Sequence, residues 1–109
     1  MEEKLDPQNY EQRFNNVIKL IEKTDISEKN KKIIFKFKDH CIRDGLSKVR
    51  IAKLLEVLKT TAIIFDKDFD RVNKRDIEKF ITLIQQREYS IWTKQCYKVI
   101  LKKFFKWYK

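Results

Sequence analysis

Glycine and proline each occur only once in the 109 residues of this chain. β-Sandwiches and β-barrels need many tight turns, and those turns use residues that tolerate a positive φ or that preset φ. The chain is therefore predicted to be all-α. The same scarcity excludes the glycine-rich loops that bind phosphate in nucleotide-binding proteins, because Gly45 stands alone.

Five amphipathic runs follow one another along the chain. In each run apolar residues recur at steps of three and four, which is the period of a buried helix face. The predicted helices span residues 7–23, 28–44, 47–65, 74–88 and 91–108. A residue that can cap a helix N-terminus stands at the start of each: Asp6, Ser27, Ser47, Asn73 and Ser90. Gly45 is predicted to end the second helix in a left-handed conformation, and residues 66–72 form the one longer connection.

The first helix differs from the others in its narrow apolar stripe and in its charge. Residues 1–27 carry more acidic than basic side chains. We therefore divide the chain into an accessory helix, residues 1–27, and a main domain, residues 28–109, and expect the helix to pack on that domain. The chain is 42% hydrophobic, which suffices for one core without disulfides or a metal.

The formal net charge is +10, and most of it lies in two segments. Residues 28–65 and residues 89–109 each carry a net charge of +6, whereas residues 66–88 are neutral. Two separated basic segments, each on a predicted helix, indicate a polyanionic partner. The alternative is a solvated basic surface without a partner.

The fifth helix carries the strongest charge pattern. Lys94, Lys98, Lys102 and Lys106 recur every four residues, and the helix contains no acidic residue. Like charges at this spacing repel by roughly a few tenths of a kcal/mol per pair, so an anionic partner would stabilise the helix. The third helix is most basic at its N-terminal turn, where free N–H groups also favour phosphate. Because a helix fits the major groove of B-DNA, we expect both helices to turn their cationic sides in one direction and to form a single concave surface.

A calcium loop is suggested by Asp66, Asp68 and Asp70, but Arg71 replaces its glycine and Ile77 its closing glutamate. We therefore expect these carboxylates to cap or solvate the connection and predict no metal site.

No catalytic site can be assembled from the sequence. His40 is the only histidine, and no acid–base partner stands at a defensible spacing, so neither catalytic residues nor a cofactor is predicted. Cys41 and Cys96 have no second ligand nearby and are expected to be reduced core thiols. Trp92 and the other aromatic residues of the fifth helix are expected to be core rather than platforms for base stacking.

Nothing in the chain predicts insertion into a membrane. The longest apolar run is too short for a transmembrane helix, and the acidic start lacks the features of a signal peptide. We expect a cytoplasmic protein.

Three segments, in this order, resemble the N-terminal core-binding domain of tyrosine recombinases, in particular that of archaeal integrases. They are FKFKDHCIRDGLSKVRIAKLLEVL from Phe35, VNKRDIEKFI from Val72 and SIWTKQCYKVILKKFFKWY from Ser90. The resemblance covers about residues 30–108. Each segment alone is a degenerate amphipathic helix, and their order and spacing carry the resemblance.

The resemblance implies a SAM-like bundle of four core helices, with the first helix as an addition, that forms one half of a clamp around duplex DNA. It places the third and last helices at the major groove. The residues at the matching positions are candidate DNA contacts: Lys48, Arg50, Lys53, Thr93, Lys94, Gln95, Lys98 and Lys102. Arg50 stands where the family often has threonine, which would change a backbone contact into a charged one.

The family cuts and rejoins DNA with a separate C-terminal domain that carries a tyrosine nucleophile. This chain ends before that domain, so we expect a fragment that binds duplex DNA without activity of its own, with the catalytic domain of the parent protein as a second partner. Contacts between protomers on DNA are compatible with this picture. Two alternatives stay open: a helical protein-interaction module whose basic faces bind an acidic partner, and an RNA-binding bundle.

Overall fold

The structure is a computed structural model that describes the backbone of residues 7–108 and the side chains of residues 11–108. As predicted, it is all-α, with five helices: α1 Pro7–Lys23, α2 Glu28–Arg43, α3 Lys48–Phe65, α4 Lys74–Gln86 and α5 Ile91–Tyr108. Helix α4 ends two residues before its predicted end, because Arg87 takes an extended conformation. The predicted cap Asp6 and the last residue, Lys109, lie outside the described residues.

The predicted N-terminal caps of α2 to α5 are confirmed. In each, the capping side-chain oxygen accepts a hydrogen bond from the backbone N–H three residues further on: Ser27 from Asn30 at 3.1 Å, Ser47 from Arg50 at 3.3 Å, Asn73 from Asp76 at 2.9 Å and Ser90 from Thr93 at 3.1 Å. The backbone N–H of Asn73 also donates to the Asp76 carboxylate, and this bond, together with Lys67, lowers the pKa of Asp76. A cap typically contributes about 1 kcal/mol, so these helix starts are set locally.

Gly45 ends α2 in the left-handed conformation, with φ at +83°. Its N–H donates to the carbonyl of Ile42 at 3.0 Å, and the N–H of Leu46 donates to the carbonyl of Cys41 at 3.1 Å. These two bonds satisfy carbonyl groups that the helix end would otherwise leave free. The turn is short, and α3 begins directly after the Ser47 cap.

Replacing Gly45 with alanine is expected to lower the free energy of unfolding by about 1 kcal/mol, because a Cβ atom disfavours positive φ. No atom lies within 4 Å of the position that this Cβ would take, so only backbone strain contributes. Urea denaturation measures the difference. The control is Asp44→Ala, since Asp44 has φ at −75° and should tolerate alanine. Equal stability of both variants would contradict the expectation.

Helix α3 lies at the centre of the fold and contacts each of the other four helices. Its residues Ile51 and Leu55 are fully buried. Helix α1 packs along α3, and Val17 and Ile21 of α1 are buried in the same apolar cluster. The expected packing of the first helix on the rest of the chain is therefore observed, while the division into residues 1–27 and 28–109 stays a prediction.

The connection between α3 and α4 is part of the core, which the sequence analysis did not anticipate. It contains a short 3₁₀ turn, Phe69–Arg71, and Phe69 is fully buried. The buried amide of Asn30 holds this turn: its nitrogen donates to the carbonyl of Lys67 at 3.0 Å, and its oxygen accepts from the N–H of Phe69 at 2.8 Å. A polar side chain of α2 thus satisfies the backbone of a segment that carries an aromatic ring into the core.

The acidic side chains of the connection have local partners. The Asp68 carboxylate accepts a hydrogen bond from the Ser27 hydroxyl at 2.6 Å, and Asp70 pairs with Lys29, which lowers the pKa of Asp70. Asp66 closes α3 with φ at +53°. Within residues 11–108 there is no group of three or more His, Cys, Asp or Glu side chains that could hold a metal ion.

Candidate nucleic-acid interface

The N-terminal halves of α3 and α5 face each other across a cleft of about 650 Å³, here called the α3–α5 cleft. The corner at Gly45 and the cap at Ser90 set where these two helices begin. Three of the candidate DNA contacts, Arg50, Lys53 and Gln95, line this cleft together. The structure therefore brings part of the predicted site onto one concave surface.

The cleft is lined by four cations, and none of the described acidic side chains lines it. The cations are Arg13 of α1, Arg50 and Lys53 of α3, and Lys103 of α5. Arg13 lies 3.8 Å from the carboxylate of Glu56, whereas none of the other three is ion-paired among residues 11–108. The concentration of unpaired positive charge in a concavity favours an anionic ligand.

The floor and rim of the cleft are apolar, and part of this surface is open to solvent. Trp92 is 85% exposed, Val99 54% and Val49 37%. The expectation that Trp92 belongs to the core is wrong: Ile91 and Trp92 lie in the first turn of α5, and both side chains are largely exposed. The other aromatic residues of the fifth helix follow the expectation, since Phe104 and Phe105 are buried and Trp107 is half-buried.

The lysines that recur every four residues in α5 do not share one face. Each step of four residues advances about 40° around a helix, so the direction changes by about 120° from Lys94 to Lys106. The amine of Lys94 donates to the carbonyl of Gln85 at 2.9 Å, at the C-terminal end of α4. Lys98 is half-buried, while Lys102 and Lys106 are exposed. The first lysine of the row thus caps the end of α4, whereas the last two face solvent.

Six exposed side chains of α5 lie within an arc of about 100°, and we call this arc the outward stripe of α5. They are Trp92, Gln95, Val99, Lys102, Lys103 and Lys106. The apolar residues and the amide occupy its N-terminal half, beside the cleft, and the lysines its C-terminal half. Of the five candidate contacts in α5, Gln95 and Lys102 belong to the stripe.

Lys48 and Thr93 have structural partners outside the α3–α5 cleft. The amine of Lys48 donates to the Glu11 carboxylate at 2.8 Å, lies 5.6 Å from the centre of the Phe14 ring and lowers the pKa of Glu11. Lys48 points about 160° away from Arg50 around α3 and joins that helix to α1. The Thr93 hydroxyl accepts a hydrogen bond from Ser90 at 3.1 Å, and Thr93 lines a smaller recess that also includes Lys53.

Nine residues that line the cleft were not among the candidate contacts, and four of these are charged or more than half exposed. Lys103 stands beside the lysine row of the basic fifth helix but was not among the positions that the family resemblance matched. Val99 lies outside the three- and four-residue apolar period of α5. This irregularity is the one sequence feature that could have indicated an exposed apolar side chain here. Trp92 was assigned to the core by residue type. No sequence pattern predicts that Arg13 lines the cleft, because its position depends on how α1 packs on α3.

The two cysteines differ in their surroundings. Cys41 is buried, as expected of a core thiol, and burial raises its pKa. Cys96 is half-buried and lines the cleft. Burial and a raised pKa both disfavour the thiolate of Cys41, which is the form that reacts.

Comparison of the chain with protein-family models, with curated proteins and with solved structures returns no match. None of the helices described here is both long and apolar enough to cross a membrane.

Proposed function

We propose that this chain is the DNA-binding module of a site-specific tyrosine recombinase or integrase, with a SAM-like arrangement of four core helices and an additional N-terminal helix. The α3–α5 cleft and the outward stripe of α5 bind duplex DNA. The order of the three family-like segments supports the recombinase assignment, and the charge of the cleft supports the ligand.

One observation carries the proposal: the cleft gathers four cations without an acidic residue among the described side chains that line it. Lys102 and Lys106 extend this positive surface along α5. Phosphate contacts supply most of the affinity of a DNA-binding protein and set its register on the duplex. An exposed helix face flanked by such cations has the dimensions to enter the major groove.

The chain alone is proposed to hold DNA without cutting it, and the domain that cleaves and rejoins the strands belongs to the parent protein. His40, the one histidine of the sequence, has no place in the proposed contact with DNA. Its ring lies 5.8 Å from that of Trp107 and 6.1 Å from that of Phe37, among aromatic side chains, and does not line the cleft.

Binding to a labelled duplex, followed by fluorescence anisotropy, is expected to weaken steeply with salt. Five cations at the cleft and stripe lack an ion-pair partner among residues 11–108: Arg50, Lys53, Lys102, Lys103 and Lys106. If each neutralises one phosphate, the slope of log K against log salt should be about −4 to −5. Affinity that does not change with salt would refute the proposal.

A pair of double variants tests the location of the site. Arg50→Ala with Lys53→Ala should make the slope shallower by about 2, since each phosphate contact contributes about one unit. The matched control is Lys19→Ala with Lys23→Ala, which removes the same charge from exposed positions of α1 that do not line the cleft. Equal losses in both double variants would show that only net charge matters and that the cleft is not the site.

A protein-interaction module remains the second candidate, because the apolar part of the cleft would also accept an amphipathic helix. Such a helix would be acidic on one side, to match the four cations, and would place apolar side chains on Val49, Trp92 and Val99. This function predicts tight binding to a protein and only weak binding to duplex DNA. Competition between the two ligands for the chain distinguishes them.

A further inference from the structure

The two halves of the outward stripe of α5 contain different types of side chain. The inference drawn from this difference rests on the proposed function. Its C-terminal half consists of lysines, which neutralise phosphate on any sequence. Its N-terminal half holds Trp92, Gln95 and Val99, three exposed side chains that an electrostatic clamp does not require.

These three side chains span about 10 Å along the helix axis, which equals the rise of about three base pairs. Gln95 is exposed, and its amide makes no hydrogen bond to another described residue. A free amide can bind both the acceptor and the donor that adenine presents in the major groove. Exposed apolar groups beside it can cover the 5-methyl group of thymine, which is the only apolar group on that edge.

We infer that the N-terminal half of the stripe reads A·T base pairs in the major groove, with the Gln95 amide on adenine and the side chains of Val99 and Trp92 on thymine methyl groups. Arg50 and Lys53, across the cleft, bind the flanking phosphates. Duplex DNA would then cover the apolar surface of the cleft. Its phosphates would neutralise the surrounding cations, and its thymine methyl groups would contact the exposed apolar side chains.

The direct test removes the methyl group and nothing else. Affinity of the full chain is measured for a short alternating A·T duplex and for the same duplex with uracil in place of thymine. Each methyl group that becomes buried should account for about a fourfold difference in affinity. In a G·C duplex, replacing cytosine with 5-methylcytosine should strengthen binding. Equal affinities within both pairs of duplexes would overturn the inference.

Val99→Ala locates the methyl contact. This variant should bind the thymine duplex more weakly and the uracil duplex almost as well as the native chain, so the difference between the duplexes shrinks. The control is Leu20→Ala on α1, because Leu20 is 51% exposed, close to the 54% of Val99, and does not line the cleft. A Val99→Ala variant that loses affinity equally for both duplexes would argue against a methyl contact.

Gln95→Ala tests the adenine contact. Loss of a bidentate amide contact should reduce the preference for the A·T duplex over the G·C duplex by about 5- to 150-fold. An unchanged preference would overturn this part of the inference. Gln95 is exposed, so the variant should fold, and circular dichroism verifies its helix content.

Failure of the inference is distinguishable from failure of the proposed function. Salt-dependent duplex binding with no response to thymine methyl groups would overturn the inference and leave the DNA-binding function standing. Absence of duplex binding at low salt would reject both. Binding of an acidic amphipathic peptide that depends on Trp92, without duplex binding, would reject both in favour of the protein-interaction module.

Discussion

Replacing Phe104 with alanine is expected to lower the free energy of unfolding by about 3 to 5 kcal/mol. The Phe104 ring is fully buried and joins separate parts of the chain. It lies 5.3 Å from the ring of Phe37 in α2 and 4.9 Å from the ring of Phe69 in the connection, both in edge-on contacts. Removing the ring leaves a cavity between α2, α5 and the connection. These segments cannot all move in to fill it, because each also packs against other parts of the core.

Urea denaturation of the Phe104→Ala variant measures this loss. The total stability of a small domain is about 5 to 15 kcal/mol, so the change is a large fraction of it. Trp92→Ala is the matched control, because it removes a larger aromatic group that is 85% exposed and should change stability by less than about 0.5 kcal/mol. If Phe104→Ala does not fold, Phe104→Leu should still fold with a smaller loss. A Phe104→Leu chain as stable as the native one would contradict the described packing.

Replacing Asn30 with alanine is expected to cost about 2 to 4 kcal/mol, because it leaves one buried and one partly buried backbone group without a hydrogen bond. These are the carbonyl of Lys67 and the N–H of Phe69. The same substitution at an exposed asparagine should cost less, because water takes over the hydrogen bonds that the amide made. Asn16→Ala on the exposed side of α1 provides that comparison.

A second variant, Asn30→Asp, separates hydrogen bonding from packing. The carboxylate can accept from Phe69 but cannot donate to Lys67, and burial disfavours its charged form. Its pKa in the folded state should therefore lie above the ordinary value of about 4, so that the folded state binds more protons than the unfolded state. The stability deficit relative to the native chain should then grow as the pH rises through this range. A deficit that does not depend on pH would contradict the burial of this side chain.

The sequence predicted the helices well and the site only in part. Four caps, the glycine turn after α2 and the all-α class depend on residues within a few positions of one another, so local chemistry is enough to predict them. Arg50, Lys53 and Gln95 were also among the candidate contacts, because they stand at the positions that the family resemblance matched in two basic helices. Lys48 and Lys94 carry the same charge at neighbouring positions, but they bind Glu11 and the end of α4.

The connection between α3 and α4 shows why some features could not be predicted. Residues 66–72 contain three aspartates and two basic residues, a composition typical of a solvated loop. Phe69 is nevertheless buried, because Asn30 satisfies the N–H of Phe69 itself and the carbonyl of Lys67 two residues before it. Its hydrogen-bond partner is 39 residues away in the chain, and no local pattern records that pairing.

By itself, the sequence determined the five helices, the caps at which four of them begin and the excess of positive charge, since each of these follows from residue type and short-range spacing. Only the tertiary structure decided which cations share a surface. A four-residue lysine row turns by about 40° at each step, so its members face α4 at one end and solvent at the other. The docking of α1 adds Arg13 to the cleft and draws Lys48 to Glu11. Whether a given lysine or arginine is free at the cleft or bound elsewhere depends on contacts between residues far apart in the chain. These contacts exist only once the helices are packed.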